Sequence, residues 1–352
     1  MHLKRKIPLL ISIISTLFYF SSVKAEIKVV TSIKPIHSLV SYIMEGVGSP
    51  DLIVDGYNSP HGFSLKPSHA KMLQEANIVI YVGEGVEEFL EKPLESIASN
   101  AVKFELLGQS GIKKLKFRER NIFGDHDDHD DHGHDKKAKK EDHDDHDDHD
   151  KKAKKEDHDD HDDHDKKAKK DDHDDHGHDD HGHGHGEFDP HIWLDPMNAK
   201  IIVKKVTNQL SKLDKENSSI YKSNSKKALK ELDQMIKEVK SDVNKDAKVV
   251  VFHDAYQYFE KRFNVNIIGA LTVNTDVLPG AEQLAEIREV IEHEKVTCVL
   301  SEPQFNPDIV ETIAKDTNIS SGVLDPLGAT LDSGKTLYFN LIKNISTSLK
   351  SC

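Results

Sequence analysis

Imidazoles and carboxylates recur in this chain just beyond short apolar runs, where side chains could meet around a cation. His61 lies beyond Leu-Ile-Val. His253 and Asp254 follow Val-Val-Val-Phe, Glu302 follows Cys-Val-Leu-Ser, and Asp325 follows Gly-Val-Leu. His191 sits in Phe188-Asp-Pro-His-Ile-Trp-Leu-Asp-Pro196, which also holds the only Trp of the chain. Proline fixes its own φ and restrains the residue before it, so two Asp-Pro pairs stiffen the loop that carries His191. Neutral imidazoles joined by one oxygen suit a borderline cation such as zinc, whereas calcium and magnesium take mostly oxygen. Taken singly, each histidine has a second reading: His61 as a solvent-exposed loop residue, His253 as a strand-end structural hydrogen bond, and His191 as a loop-stabilising residue. His37 and His69 fall in helical patterns and are read as structural.

A second concentration of ligands is of another kind. Between Asp125 and Gly186 lie sixteen histidines, His126, His129, His132, His134, His143, His146, His149, His158, His161, His164, His173, His176, His178, His181, His183 and His185. They alternate with Asp in a run without aromatic or branched aliphatic residues. The fifteen residues from His143 recur from His158 with a single Glu-to-Asp change. Such a segment cannot bury enough apolar surface to offset the entropy of ordering it, so disorder is expected. Its many interchangeable ligands predict several weak metal sites, occupied only while the imidazoles are neutral. The run carries 24 Asp and 2 Glu against 12 Lys, which equals the whole net charge of −14, so the rest of the chain sums to zero. No basic patch stands out, and nucleic acid is excluded as a partner.

The elements that must position His61, His191 and His253 alternate short β-branched runs with amphipathic ones. Strands are expected at Ile27–Thr31, Leu52–Val54, Ile78–Val82 and Val102–Leu107, with helices at Pro35–Glu45, from a Ser68 cap to Ala76, and at Val86–Ala98. After the His/Asp run come helices from Pro196 to about Leu213 and from Glu216 to about Asn244. Alternation then resumes with strands at Val249–Phe252, Val265–Leu271, Thr297–Leu300 and Gly322–Leu324, and a helix at Ala255–Phe263 between the first two. The pattern implies an α/β protein of two lobes, each a mostly parallel sheet flanked by helices, with a helical backbone between them. The expected division is a signal peptide at 1–25, an N-terminal lobe at 26–195 with the disordered loop at 125–186 inside it, a helical segment at 196–245, and a C-terminal lobe at 246–352. In open α/β sheets ligands bind beyond the carboxyl ends of the strands, where these histidines lie.

Lys4, Arg5 and Lys6, then an apolar stretch to Phe20 and Val-Lys-Ala, read as a secretory signal cleaved after Ala25, too short for a spanning helix. Export makes one disulfide between the two cysteines, Cys298 and Cys352, a reasonable expectation.

Five ordered motifs carry a resemblance. Leu52-Ile-Val-Asp-Gly, Pro60-His-Gly-Phe-Ser-Leu-Lys-Pro-Ser, Asp189-Pro-His-Ile-Trp-Leu-Asp-Pro, Phe252-His-Asp-Ala-Tyr-Gln-Tyr-Phe-Glu and Gly322-Val-Leu-Asp-Pro-Leu-Gly are similar to the zinc-binding periplasmic solute-binding proteins of ABC importers, the ZnuA type. The resemblance implies two α/β lobes joined by a long rigid helix with metal held between them, and His61, His191 and His253 as ligands to Zn2+, with Asp325 at a position that ligates metal directly in manganese-carrying relatives. Those relatives have Glu where His253 stands, which favours zinc here. It further implies the Cys298–Cys352 pairing, a periplasmic location, and delivery to an inner-membrane permease by a monomer that is not itself membrane-embedded and is not an enzyme. One departure is Pro60: some zinc members carry a metal-reaching Glu there, and Pro offers no side-chain donor. That leaves Asp325 or water for the fourth position. Two rival readings are a storage protein whose main site is the His-rich run, and a zinc hydrolase; the latter lacks a His-Glu-x-x-His motif.

Overall fold

In the computed structural model, which describes residues 26–83, 85–118, 120–123, 186–273, 275 and 277–352, two four-stranded parallel sheets form the frame. The signal peptide expected at 1–25 and the tract histidines lie outside the described residues. The first sheet has the order β2-β1-β3-β4, from Val29–Ile33 (β1), Asp51–Val54 (β2), Ile78–Tyr81 (β3) and Val102–Glu105 (β4). The second has the order β6-β5-β7-β8, from Lys248–His253 (β5), Asn266–Thr272 (β6), Cys298–Ser301 (β7) and Ser320–Val323 (β8). Every pairing is parallel. β1 and β7 are buried along their whole length because helices cover both faces, and this is why they read as unbroken apolar runs. The α/β class expected from the sequence is the class observed.

Between the sheets run two helices, Pro196–Leu213 (α4) and Ser218–Asp242 (α5). Pro196 takes the first helical position, where its missing N–H costs nothing, and the Asp195 carboxylate caps the helix by accepting from Met197 N (2.8 Å). α5 places Tyr221, Ala228, Leu232, Met235 and Val239 on one buried face at helical spacing. It packs on α4, on Lys34–Met44 (α1) of the first lobe, and on Leu337–Lys350 (α9) of the second, so both lobes share one apolar core with the linker.

Polar bonds add to that joint. Lys34, 4% exposed, donates its Nζ to the carbonyls of Ala329 (3.2 Å) and Leu331 (2.7 Å). Arg262 grips the Asp195 carboxylate through Nε and Nη2, both at 2.7 Å. Tyr258 accepts from Leu115 N (3.0 Å) and donates to the Asp189 carbonyl (2.7 Å).

The segment from Ile112 to Phe123 is a strap between the lobes that the sequence did not announce. It starts beside Phe188, pairing through Lys116, and ends antiparallel to the outer edge of β6 through Ile122 and Gly269. Phe123 N donates to the Ile268 carbonyl and Ala270 N to the Asn121 carbonyl, both at 2.8 Å. A side chain at 269 would not fit, since a Cβ there would sit 2.7 Å from the Asn121 carbonyl oxygen. Arg118 on the strap pairs with Asp254 (2.9 Å) and Glu260, and its guanidinium lies over the Phe123 ring at 3.9 Å.

Three local expectations change. Ser68 does not cap a helix: Pro67–Glu75 (α2) begins one residue earlier on Pro67, and His69 Nδ1 accepts from Lys66 N (3.1 Å) in the capping role. The helix expected at Val86–Ala98 is a 3-10 turn, Glu88–Leu90, followed by one short helix, Glu91–Ser96 (α3), where Pro93 supplies no N–H to a longer ladder. Gln257–Phe263 (α6) begins two residues after Ala255. The remaining helices are Ala281–His293 (α7) and Asp308–Thr317 (α8). Cys298, at the start of β7, is bonded to Cys352, 54 residues on, as expected.

Candidate metal centre

His61, His191 and His253 come together, with one nitrogen from each ring lying within 4.8 Å of the others. Each reaches the cleft from a different element. His253 is the last residue of β5, carried to the carboxyl edge of the second sheet. His191 precedes a 3-10 turn, Ile192–Leu194, which the Asp-Pro pairs on either side hold in place. His61 stands in the turn beyond β2, its backbone N donating to Ser59 Oγ (3.2 Å). His191 and His253 are buried and His61, partly exposed, closes the mouth.

Second partners fix how the two buried rings present themselves. Asp189 Oδ1 lies 2.8 Å from His191 Nδ1 and also accepts from His191 N (2.9 Å). Glu302 Oε1 lies 2.7 Å from His253 Nδ1. A carboxylate only accepts, so each Nδ1 carries its hydrogen and each Nε2 is left with a lone pair. Those two Nε2 atoms face each other at 3.3 Å. Four nitrogens arranged tetrahedrally at about 2.05 Å from a zinc ion would be spaced about 3.3 Å apart. The indole of Trp193 packs beside His191 (centroids 5.3 Å apart) and is anchored by its Nε1 donating to the Pro326 carbonyl (2.8 Å).

Electrostatics agree with that picture. Burial, and then the neighbouring His253, hold the His191 imidazole well below the ordinary histidine range. Burial works in the same direction on His253, but Glu302, with Asp254 and Asp189 behind it, outweighs it and raises His253. Burial pushes the Asp189 carboxyl up to about 7.

Asp325 is not brought into the cluster. Its Oδ1 accepts from Gln304 Nε2 (3.1 Å), Leu327 N (3.0 Å) and Gly328 N (2.9 Å), and its Oδ2 from Ala329 N (2.6 Å). The carboxylate is occupied in folding the turn that follows β8. Asp189 is the residue that reading for strand ends missed; an Asp two residues before a stiffened His was the available signal. His37, as read, is structural, with Nε2 on the Pro50 carbonyl (3.1 Å). The pocket around the three rings has a volume of about 10 Å³, room for one water-sized particle, and is also lined by Glu302 and Gln304.

Comparison with known proteins follows the same line. The family model for ZnuA, "Zinc-uptake complex component A periplasmic", matches residues 29–352. The high-affinity zinc uptake system protein ZnuA of Brucella abortus (strain 2308) is 44% identical over 326 residues, 92% of this chain and 91% of that protein. Its namesake in Haemophilus influenzae is 37% identical over 344 residues, 97% of each. Among solved structures, a crystal structure of ZnuA superposes with a TM-score of 0.67 at 21% identity, covering 93% of this chain and 99% of that one. The periplasmic zinc binding protein TroA from Treponema pallidum gives 0.68 at 16%, with coverage of 93% and 99%. These two likenesses speak for the fold, and the family match and the identities to the named relatives decide membership: the chain belongs to the ZnuA family of periplasmic zinc-uptake components.

Proposed function

We infer that this protein captures Zn2+ in the periplasm and delivers it to an inner-membrane ABC importer, as a carrier and not a catalyst. The observation that carries this reading is the pair of Nε2 lone pairs aimed at each other at 3.3 Å, each locked in place by a carboxylate on the opposite nitrogen. His61, His191 and His253 are the ligands we propose, the first two contributed by the first lobe and the third by the second. The ion therefore bonds the lobes to each other. The shared core around α5 and the Lys34 and Arg262 bonds favour small loop adjustments over a wide hinge on loading. The protein works as a monomer that docks on the importer's permease, and among the described residues no helix is long and apolar enough to cross a membrane.

The sixteen tract histidines serve as weak auxiliary sites that raise the metal concentration near the cleft. Titration of zinc into protein lacking residues 125–186, with and without His191→Ala, tests the assignment. One tight site should survive the deletion and disappear with the substitution. Equal tight binding by both proteins would refute the ligand set, and loss of nearly all binding on deletion alone would make the protein a store instead.

A further inference from the structure

Two loops from different lobes border the metal pocket. Ser59, Pro60 and His61 come from the loop beyond β2, and Pro326 and Leu327 from the turn beyond β8. One buried cation stands at the base of both. Ile33 and Val54 are register partners in β1 and β2, so Lys34 and Asp55, one residue further on, leave the carboxyl edge of the first sheet side by side. Asp55 opens the loop that carries His61. Its Oδ1 accepts from Gly56 N (2.8 Å) and its carbonyl from Asn58 Nδ2 (2.6 Å). Lys34 Nζ lies 3.7 Å from that same Oδ1. The two shorter bonds of the ammonium, to the carbonyls of Ala329 and Leu331, belong to the other lobe. Ala329 is also the residue whose N–H closes the turn on Asp325 Oδ2 (2.6 Å). Ser333, two residues beyond Leu331, donates its Oγ to Asp55 Oδ1 (3.4 Å).

Lysine is rarely buried, and taking its ammonium out of water costs more than an ordinary ion pair returns. A packing role alone would be filled by an apolar side chain at lower cost. What this place uses is three hydrogens on one atom: two fix the second-lobe segment and one is left for the carboxylate at the root of the His61 loop. We propose that Lys34 and Asp55 are positioning residues for His61, joining the root of its loop to the second-lobe turn so that the third imidazole meets the ion in register with His253. The proposal rests on the zinc-capture reading and adds to it the part that sets His61. Asp189 and Glu302 orient the rings of His191 and His253 directly; Lys34 and Asp55 act one step further out, on the backbone that carries His61. Loss of the link therefore acts on release: the loop lifts its imidazole from the ion sooner.

The test uses the full-length protein, with zinc affinity read by competition against a chelator and release by rapid mixing with one. Asp55 is exposed, so Asp55→Asn leaves the core intact; Lys34→Met removes the cation at similar length. Affinity should fall about threefold in Asp55→Asn, the worth of a partly exposed ion pair, and about tenfold in Lys34→Met, the worth of one hydrogen bond to a charged group. Both losses should appear as faster release. In a His61→Ala background neither change should matter by more than about 1.5-fold, because no ring is left to position. A loss of full size in that background would show that the pair serves only the joint between the lobes, and wild-type affinity in Asp55→Asn would show that it does not reach His61. Either result overturns the proposal, and a Lys34→Met protein that fails to fold leaves Asp55→Asn to decide it. A wild-type protein without a tight zinc site, or a His61→Ala protein that binds as tightly as wild type, would instead overturn the capture reading and its ligand set.

Discussion

Asp189 offers the sharpest test of how the protein prepares its ligands. It touches no ion; it touches His191 twice, at the backbone N (2.9 Å) and at Nδ1 (2.8 Å), and both bonds end on the same oxygen. That detail separates two substitutions. Asp189→Asn can keep both bonds through its amide oxygen and loses only the charge. Charge-assisted bonds are roughly twice as strong as neutral ones, so this should cost about 1 kcal/mol of zinc binding, a loss of about fivefold. Asp189→Ala removes the acceptor, frees the ring to rotate and to shift its hydrogen to the metal-facing nitrogen. The usual penalty for losing such a partner is about 10–100-fold, or about 1.4–2.8 kcal/mol. Competition against a chelator of known zinc affinity, at neutral pH, measures both. The expected order is wild type, then Asn, then Ala. An Ala variant within threefold of wild type, or an Asn variant weaker than Ala, would show that Asp189 does not govern the His191 ring.

Other expectations concern the frame. Burial pushes the Glu87 carboxyl up to about 7 although it accepts from Val82 N and Gly83 N. Its folded value lies above the unfolded one, so the stability it confers is complete below about pH 4.5 and is lost as pH rises through 7. Between pH 5 and pH 8 the metal-free wild type should lose about 3 kcal/mol that Glu87→Gln does not; parallel urea-unfolding results at the two pH values would contradict this. Reducing Cys298–Cys352 should cost about 4 kcal/mol of stability yet alter zinc affinity less than threefold, because the bond sits at the opposite end of β7 from Glu302; calorimetry and zinc titration under reductant check both halves. Gly269→Ala should push the strap off β6 and break two backbone bonds there, a local loss of about 2 kcal/mol. Hydrogen exchange at the Phe123 and Ala270 amides should then speed up while zinc binding stays within threefold.

Much of this architecture was legible from residue order because parallel sheets write themselves plainly. Val249 to Val251 and Cys298 to Leu300 are apolar throughout because both faces are covered, and the polar residues after them are therefore at the carboxyl edge. That logic located His253 and Glu302, and proline stiffening located His191. What sequence hid was competition for the same group. Asp325 reads as a candidate for the fourth position, and residue order does not record that the N–H groups of Leu327, Gly328 and Ala329 converge on its carboxylate. The strap was invisible for a different reason: Lys113, Lys114, Lys116 and Arg118 break any alternation, and its backbone pairs with an edge whose need for a partner no local pattern records. The helix expected from Val86 was cut short by Pro93, which periodicity alone overrides too easily.

The strap also decides what the chain tolerates between its two ends. Phe123 is pinned to Ile268, and Phe188 to Lys116, by bonds that do not involve the residues between them. A sequence spliced in between 123 and 186 transmits no change of register to either sheet, and each doubling of its length costs only about 0.6 kcal/mol of closure entropy. The molecule thus carries a built-in cassette position next to its cargo, where repeats can be copied, shortened or exchanged for another composition while the three-imidazole cradle keeps its shape.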